Sequence, residues 1–153
     1  MLIFKLSGHA QTLVFTNSVQ RLFQKYKQTD KNQAEAGGQL FAKITPKLII
    51  VTTATGPHPR DKKGRFHFFP GLKRLRREIH SYFIKGLHYV GDWHTHPQIN
   101  PRPSLLDLAS MRLAYATSRH ELHYFVLVVV GNGYNAQDVW VGLVNSRETI
   151  GLN

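Results

Sequence analysis

Cysteine is absent from this sequence of 153 residues. Its absence excludes disulfide bonds, thiolate metal sites, cysteine proteases and the zinc deaminases, whose signature requires a pair of cysteines. The sequence does contain nine histidines. A transition-metal site in this chain must therefore be built from imidazole and carboxylate ligands.

Long hydrophobic segments are also absent. The longest apolar run, Phe125–Val130, is much shorter than the ~20 residues that a membrane-spanning helix needs. The sequence begins MLIFKLSGHA, which has no basic region at its start, and Lys5 interrupts the apolar stretch. We therefore expect a cytoplasmic protein that has no signal peptide and no membrane partner.

Acidic residues are scarce. Lysine and arginine number 20 against nine aspartates and glutamates, which gives a net charge of +11. This excess favours an anionic partner, either nucleic acid or an acidic protein surface. The excess is concentrated between Arg60 and Arg77, where eight basic side chains accompany one acid, Asp61. A solvated and partly flexible basic loop is an equally good interpretation of that segment.

The hydrophobic pattern predicts one α/β (α+β) domain, residues 1–153, in which helices flank a mixed β-sheet. Hydrophobic residues make up 42% of the chain and charged residues 19%, as in soluble globular domains. The stretch TGPHPRDKKGRFHFFPG is rich in proline and glycine and predicts a long loop or irregular ribbon. The predicted strands are Leu2–Leu6, Thr12–Phe15, Gln39–Ile44, Leu48–Ala54, Leu87–Trp93, His123–Val130 and Gln137–Val144. The predicted helices are Ser18–Lys27 with Asn17 or Ser18 as its cap, Leu72–Ile84, and Ser104 to about Ser118.

Residues 92–107, DWHTHPQINPRPSLLD, contain a candidate metal site. His94 and His96 are two residues apart at the end of a strand, so their rings project to the same face. Asp107, in the first turn of the next helix, is well placed to be the third ligand. Two imidazoles and one carboxylate leave the fourth position of a zinc ion open for water, as in catalytic sites. Bound zinc would lower the pKa of that water to roughly 7.

Each part of this pattern has a simpler interpretation when it is taken alone. A single His-x-His on a strand is more often a surface or core feature than a pair of ligands. Ser104 and Asp107 also have the spacing of a capping box, in which the two side chains satisfy free N–H groups at a helix start. The joint spacing of the histidines, Ser104 and Asp107 is what favours a metal site.

The pattern HTH-x7-S-x-x-D with an upstream glutamate resembles the JAB1/MPN/Mov34 metalloenzymes. The resemblance implies one zinc ion per chain, an MPN-like fold, and hydrolysis of peptide or isopeptide bonds. The upstream glutamate is Glu35, in EAGGQLFA, and Ala42 stands where the family often has glycine. The resemblance extends from the first predicted helix to about Val144. It implies zinc binding by His94, His96 and Asp107, activation of the water by Glu35, and stabilisation of the tetrahedral intermediate by Ser104.

Two further residues near this motif are candidates for orienting the ligands. Asp92 and Thr95 adjoin the histidines, and partners of that kind hold metal ligands in place. An equally good interpretation of Asp92 is a turn residue at the strand end. Without the resemblance, Glu35 would be interpreted as a solvated loop acid.

The sequence around the motif is similar to stand-alone prokaryotic JAB proteins encoded beside ubiquitin-activating and ubiquitin-conjugating homologues. Some of those operons are antiviral systems in which a cyclic-nucleotide synthase is conjugated through its C-terminus. This implies a deubiquitinase-like isopeptidase whose partner is a ubiquitin-like modifier or a conjugated protein. We expect Gly64–Phe69 to form an edge or flap for the substrate tail, with Arg65 contacting acidic groups. The alternatives are a peptidase for a sulfur-carrier-like protein, a metal-free scaffold, and a nucleic-acid-binding module.

Overall fold

A computed structural model describes residues 1–59, 61–64, 67–69, 71–135 and 138–153. Arg60 and Arg65 of the basic segment, and Gln137 at the start of a predicted strand, lie outside the described residues. Among the described residues, no helix is both long enough and apolar enough to cross a membrane.

The described chain contains ten strands and three helices. The helices are α1 (Asn17–Tyr26), α2 (Leu72–Ile84) and α3 (Leu105–Thr117). The strands are β1 (Leu2–Lys5), β2 (Thr12–Phe15), β3 (Gly37–Ile44), β4 (Leu48–Ala54), β5 (Lys62–Gly64), β6 (His67–Phe69), β7 (His88–Thr95), β8 (Phe125–Val130), β9 (Val139–Val144) and β10 (Thr149–Gly151).

Eight strands form one mixed sheet in the order β1-β2-β4-β3-β7-β8-β9-β10. The pairs β2–β4 and β7–β8 are parallel, and the other neighbours in the sheet are antiparallel. Strands β8 and β9 are buried along their whole length, because the sheet is covered on both faces. The prediction of a mixed sheet flanked by helices is confirmed.

Two local predictions need correction. The N-cap of α1 is Thr16 rather than Asn17 or Ser18, and its hydroxyl lies 2.9 Å from that of Ser18. The stretch predicted as a loop or irregular ribbon contains the antiparallel hairpin of β5 and β6. The short strand β10, which pairs with β9, was not predicted, because its three residues are too few for a periodic pattern.

The core lies on both faces of the sheet. On one face, Phe23 of α1 packs against Trp93 of β7, with their ring centroids 5.3 Å apart. On the other face, Met111 of α3 packs against a cluster that includes Phe125 and Trp140. Strand β7 therefore lies in the middle of the sheet, with packed side chains on both faces.

The start of β3 lies beside this end of β7. Gly37 pairs with His94 and Gly38 with Trp93 in the antiparallel register. A Cβ on Gly38 would lie only 2.0 Å from the carbonyl oxygen of Thr55, so this close approach requires glycine. The pairing brings the segment that precedes β3, which contains Glu35, to the histidines.

Candidate metal centre

His94, His96 and Asp107 converge as the pattern predicts. The Nε2 atoms of the two histidines are 3.2 Å apart. Oδ2 of Asp107 lies 3.2 Å from Nε2 of His94 and 3.4 Å from Nε2 of His96. Within the described part of the chain, these residues form a group whose ligand atoms all lie within 4.8 Å of one another. The cluster is compatible with metal binding.

Asp107 is aimed at the histidines by the start of α3. Its side chain accepts the backbone N–H of Ser104 at 2.6 Å, and the Ser104 hydroxyl accepts the N–H of Asp107 at 3.0 Å. Burial acts to raise the pKa of Asp107, but hydrogen bonds from His94 and His96 outweigh it and hold the pKa well below its usual range. Asp107 therefore remains anionic at any physiological pH.

The histidines are held in an orientation that suits metal binding. Each presents Nε2 to the cluster, and His96 is also hydrogen-bonded to the backbone of Arg102. A ligating histidine usually uses its second ring nitrogen in this way, which fixes its tautomer. Burial opposes the charged form of His96, but Asp107 and Glu35 favour it more strongly, so the pKa of His96 is raised.

Glu35 reaches the cluster from the loop before β3. Its Oε1 atom lies 3.4 Å from Nε2 of His96, and its side chain is only 5% exposed. Burial raises the pKa of Glu35 to about 7; His96 opposes this rise and Asp107 adds to it. The backbone N–H of Glu35 donates to the Gly64 carbonyl at 2.5 Å. Glu35 is therefore not the solvated loop acid that its local sequence alone would suggest.

The two candidates for orienting the ligands lie in different places. Thr95 is buried, and its side chain contacts the backbone N–H of Ala36, next to Glu35. The carboxylate of Asp92 accepts a hydrogen bond from the Tyr89 hydroxyl at 3.0 Å. Burial raises the pKa of Asp92 to about 6, although the Tyr89 hydrogen bond opposes the rise. Asp92 is thus a half-buried residue within β7 rather than a turn residue at the strand end.

Sequence reasoning missed Gln28, which is completely buried and hydrogen-bonded to Thr95 at 2.9 Å. It lies in the polar stretch QTDKNQ after α1. A glutamine in such a stretch is ordinarily a solvated surface residue, so no local signal identifies it.

The basic segment is anchored by one of its own arginines. Arg74 on α2 contacts Asp61 at 2.8 Å and Glu78 at 2.7 Å. Asp61 also accepts the backbone N–H groups of His58 and Gly71. Burial opposes ionisation of Asp61, but these hydrogen bonds and Arg74 lower its pKa overall. Arg74 therefore fixes the base of the β5–β6 hairpin rather than facing an external partner.

A family model described as prokaryotic homologs of the JAB domain matches residues 18–142 of this chain. The chain belongs to the prokaryotic JAB family. The matched residues include Glu35, both histidines, Ser104 and Asp107. This membership confirms the resemblance that implied an MPN-like fold.

Relatives of this JAB protein include two that are named CD-NTase/cGAS isopeptidase. The protein from Enterobacter hormaechei is 30% identical over 84% of this chain and 72% of its own length. The protein from Escherichia coli is 26% identical over 85% of this chain and 80% of its own length.

A crystal structure of a JAB1/MPN domain protein from Archaeoglobus fulgidus has a similar fold. Its TM-score is 0.50 at 14% identity, and the match covers 96% of this chain and 98% of that one. At this identity the likeness concerns the fold alone, and it agrees with the predicted MPN-like architecture.

Proposed function

We propose that this chain is a zinc-dependent isopeptidase that cleaves after the C-terminal tail of a ubiquitin-like protein or of a conjugated target. The observation that carries the proposal is the position of Glu35, whose Oε1 lies 3.4 Å from Nε2 of His96 beside the three candidate ligands. A buried acid beside an open three-ligand site is an arrangement suited to metal-assisted hydrolysis. The names of the two relatives support the same class of reaction.

Zinc is the metal that the donor set favours. His94, His96 and Asp107 would hold it through two imidazole nitrogens and one carboxylate oxygen. Magnesium and calcium prefer oxygen ligands alone, whereas imidazole suits zinc. When bound, zinc supplies Lewis acidity toward the scissile carbonyl and toward the attacking water.

Glu35 is the proposed general base and general acid. Its carboxylate accepts the proton that the attacking water loses and then delivers this proton to the nitrogen of the leaving amine. Its pKa of about 7 lies near the operating pH, where a group exchanges protons in both directions most effectively.

Ser104 is the proposed donor to the developing oxyanion. Its Oγ accepts the backbone N–H of Asp107, so the proton of the hydroxyl remains for another acceptor. Ser104 is also the N-cap of α3, where the helix dipole favours negative charge. A pre-oriented donor of this kind stabilises the negative oxygen of a tetrahedral intermediate.

The proposed substrate is a protein with an extended C-terminal tail. The relatives' names support a conjugated CD-NTase as this substrate. We further propose that the reaction takes place in the cytoplasm and belongs to a bacterial antiviral conjugation system. The β5–β6 hairpin adjoins the site, because the Gly64 carbonyl accepts the N–H of Glu35. An exposed strand edge binds extended peptides by strand addition, so we assign the tail to this hairpin.

Nucleic-acid binding is the second candidate function, and a specific observation favours it. Three basic residues on α2, Lys73, Arg76 and Arg77, are exposed, and the whole chain has a net charge of +11. Such a surface attracts phosphate groups without sequence preference. A peptidase for a sulfur-carrier-like protein is an alternative that keeps the same chemistry and changes only the substrate.

The test is cleavage of a fusion in which the C-terminus of the cognate CD-NTase is joined to a fluorescent protein. We expect the zinc-loaded protein to separate the two parts, and Glu35→Gln to reduce turnover ~10²-fold or more while the protein remains folded. If the CD-NTase fusion stays intact and a sulfur-carrier fusion is cleaved, the protein is a peptidase for the sulfur-carrier-like protein instead. If neither fusion is cleaved, the peptidase assignment is wrong.

A further inference from the structure

A series of buried hydrogen bonds connects the segment that carries Glu35 to the strand that carries the histidines. Thr95 stands between His94 and His96, so its side chain projects to the opposite face of the sheet, where it is completely buried. Its Oγ1 accepts the N–H of Ala36 at 2.9 Å, and its own N–H donates to the Ala36 carbonyl at 2.8 Å. Both backbone groups of the residue after Glu35 are therefore held by Thr95.

Gln28 completes this network from the end of α1. Its Oε1 accepts the Thr95 hydroxyl at 2.9 Å, and its Nε2 donates to the Gln33 carbonyl at 3.1 Å. Because the Thr95 hydroxyl gives its single proton to Gln28, a lone pair of the same oxygen is left for the N–H of Ala36. Gln28 thus fixes the orientation of this hydroxyl and the course of the loop between α1 and β3.

We propose that Gln28 is a positioning residue that holds Glu35 against the metal centre through Thr95 and Ala36; this inference rests on the proposed function. Glu35 lies outside any helix or strand. The position of Glu35 is therefore fixed by backbone hydrogen bonds, those of Ala36 to Thr95 and that of Glu35 to Gly64. A displacement of about 1 Å at a catalytic centre lowers the rate about 10²-fold, so a hydrogen bond outside the centre is able to control turnover.

A purely structural role for Gln28 makes a different prediction. Buried polar side chains are nearly always hydrogen-bonded, and loss of a partner destabilises the folded state whatever the function. A structural role predicts a lower melting temperature with normal turnover in the molecules that remain folded. A positioning role predicts lower turnover in folded, metal-loaded protein.

Two variants break the same hydrogen bond from opposite ends. Thr95→Val removes the hydroxyl with little change in shape, and Gln28→Leu removes the amide. Thr95→Ser keeps the hydroxyl and is the conservative rescue. Thr52→Val is the matched control, because the hydroxyl of Thr52 on β4 is buried and has no hydrogen-bond partner among the described residues. If Gln28→Leu does not fold, Thr95→Val tests the same contact.

The first measurement is steady-state cleavage of the CD-NTase fusion by zinc-loaded protein. We expect Thr95→Val and Gln28→Leu to lower kcat roughly ten- to a hundredfold with little change in KM, because substrate binding is untouched. Thr95→Ser and Thr52→Val should keep the wild-type kcat. A wild-type kcat in either Gln28→Leu or Thr95→Val would overturn the inference.

The second measurement uses the metal-free protein and no substrate. The chain has four glutamates, so selective carbon-13 labelling of their carboxyl groups gives four signals, and Glu35→Gln identifies one of them. We expect Thr95→Val to move the Glu35 signal toward that of Glu121, which is exposed, and Thr95→Ser to leave it in place. An unmoved signal in Thr95→Val would contradict the positioning role even if the protein is an isopeptidase. A moved signal in a protein that cleaves no fusion would instead contradict only the proposed function.

Discussion

Asp107 accepts the backbone N–H of Ser104 at 2.6 Å through Oδ2, the same oxygen that lies 3.2 Å from Nε2 of His94. The Ser104 hydroxyl in turn accepts the N–H of Asp107, which completes a capping box at the start of α3. From the sequence, the capping box and the ligand role are competing interpretations of Asp107. In the structure they are compatible, because the cap directs the carboxylate toward the histidines.

The two proposed tasks of Ser104 can be separated by a pair of substitutions. Ser104→Ala removes both the cap and the hydroxyl donor, which should cost ~1 kcal/mol of stability and raise the activation barrier by roughly 3 kcal/mol. Ser104→Gly should cost only a few tenths of a kcal/mol of stability, because glycine is tolerated at an N-cap. Its turnover should nevertheless fall as much as that of Ser104→Ala, because the hydroxyl donor is lost in both. Urea melts and single-turnover cleavage rates measure the two effects. If Ser104→Ala loses stability but keeps its turnover, Ser104 caps the helix and does not stabilise the oxyanion.

The candidate ligands predict one zinc ion per chain. Asp107→Ala should lose the metal, because the two remaining imidazoles are too few for a stable site. Glu35→Ala should keep it, because Glu35 is proposed to act on water rather than on the ion. Elemental analysis of protein purified without chelators gives the stoichiometry. Absence of stoichiometric metal from the wild type would contradict this prediction, and metal retained by Asp107→Ala would remove Asp107 from the ligand set.

The raised pKa of Glu35 predicts how the stability of the metal-free protein changes with pH. Its pKa is about 7 in the folded protein against 4.5 for the unperturbed group. Between these values the folded state binds more protons than the unfolded state, so Glu35 makes the protein less stable as the pH rises through this window. Glu35→Gln removes this effect. It should therefore raise the free energy of unfolding at pH ~8 by on the order of 3 kcal/mol and change it little at pH ~4.5.

Denaturant unfolding of both proteins in the presence of a chelator, at several pH values across this window, measures the difference. Asp30→Asn is the control for the loss of one carboxylate, because Asp30 is exposed in the same loop. Equal stabilities of wild type and Glu35→Gln at pH ~8 would show that burial of Glu35 costs nothing there.

The local part of the site could be predicted from the sequence, because short-range geometry determines it. The period of two along β7 puts His94 and His96 on one face, and the spacing of Ser104 and Asp107 is that of a helix start. The approach of Glu35 depends instead on the pairing of β3 with β7, between residues far apart in the chain. Only the family resemblance identified it, since no local pattern distinguishes a buried loop glutamate from a solvated one.

Gln28 and Thr16 show the limits of local patterns in two other ways. Gln28 is buried because the loop after α1 folds against β7, and its polar neighbours give no indication of this. Thr16, Asn17 and Ser18 are all acceptable N-cap residues, so propensity does not choose among them. Thr16 becomes the cap because its backbone N–H is bound by the Val51 carbonyl as β2 ends, and this contact is made by the tertiary structure.

The exposed basic residues of α2 give the last prediction, which separates a protein partner from a nucleic acid. Lys73, Arg76 and Arg77 are exposed, whereas Arg74 is occupied by Asp61 and Glu78. Replacing the three exposed residues with glutamate should slow association with an acidic protein substrate, most strongly at low salt. Cleavage of a short peptide that contains only the tail should change little, because the metal site is untouched. Charge reversal at Arg60, Lys62, Lys63 and Arg65 should likewise slow association with the protein substrate and leave cleavage of the short peptide nearly unchanged.

A triple replacement of Lys5, Lys43 and Lys47 with glutamate is the matched control. These lysines are exposed at the opposite end of the sheet from the histidines, and the change in net charge is the same. If charge reversal on α2 slows cleavage of the CD-NTase fusion and the control does not, the effect belongs to a docking surface rather than to net charge. If the α2 variant cleaves the fusion at the wild-type rate but loses salt-dependent affinity for oligonucleotides, this surface binds nucleic acid, and the assignment to a protein partner is wrong.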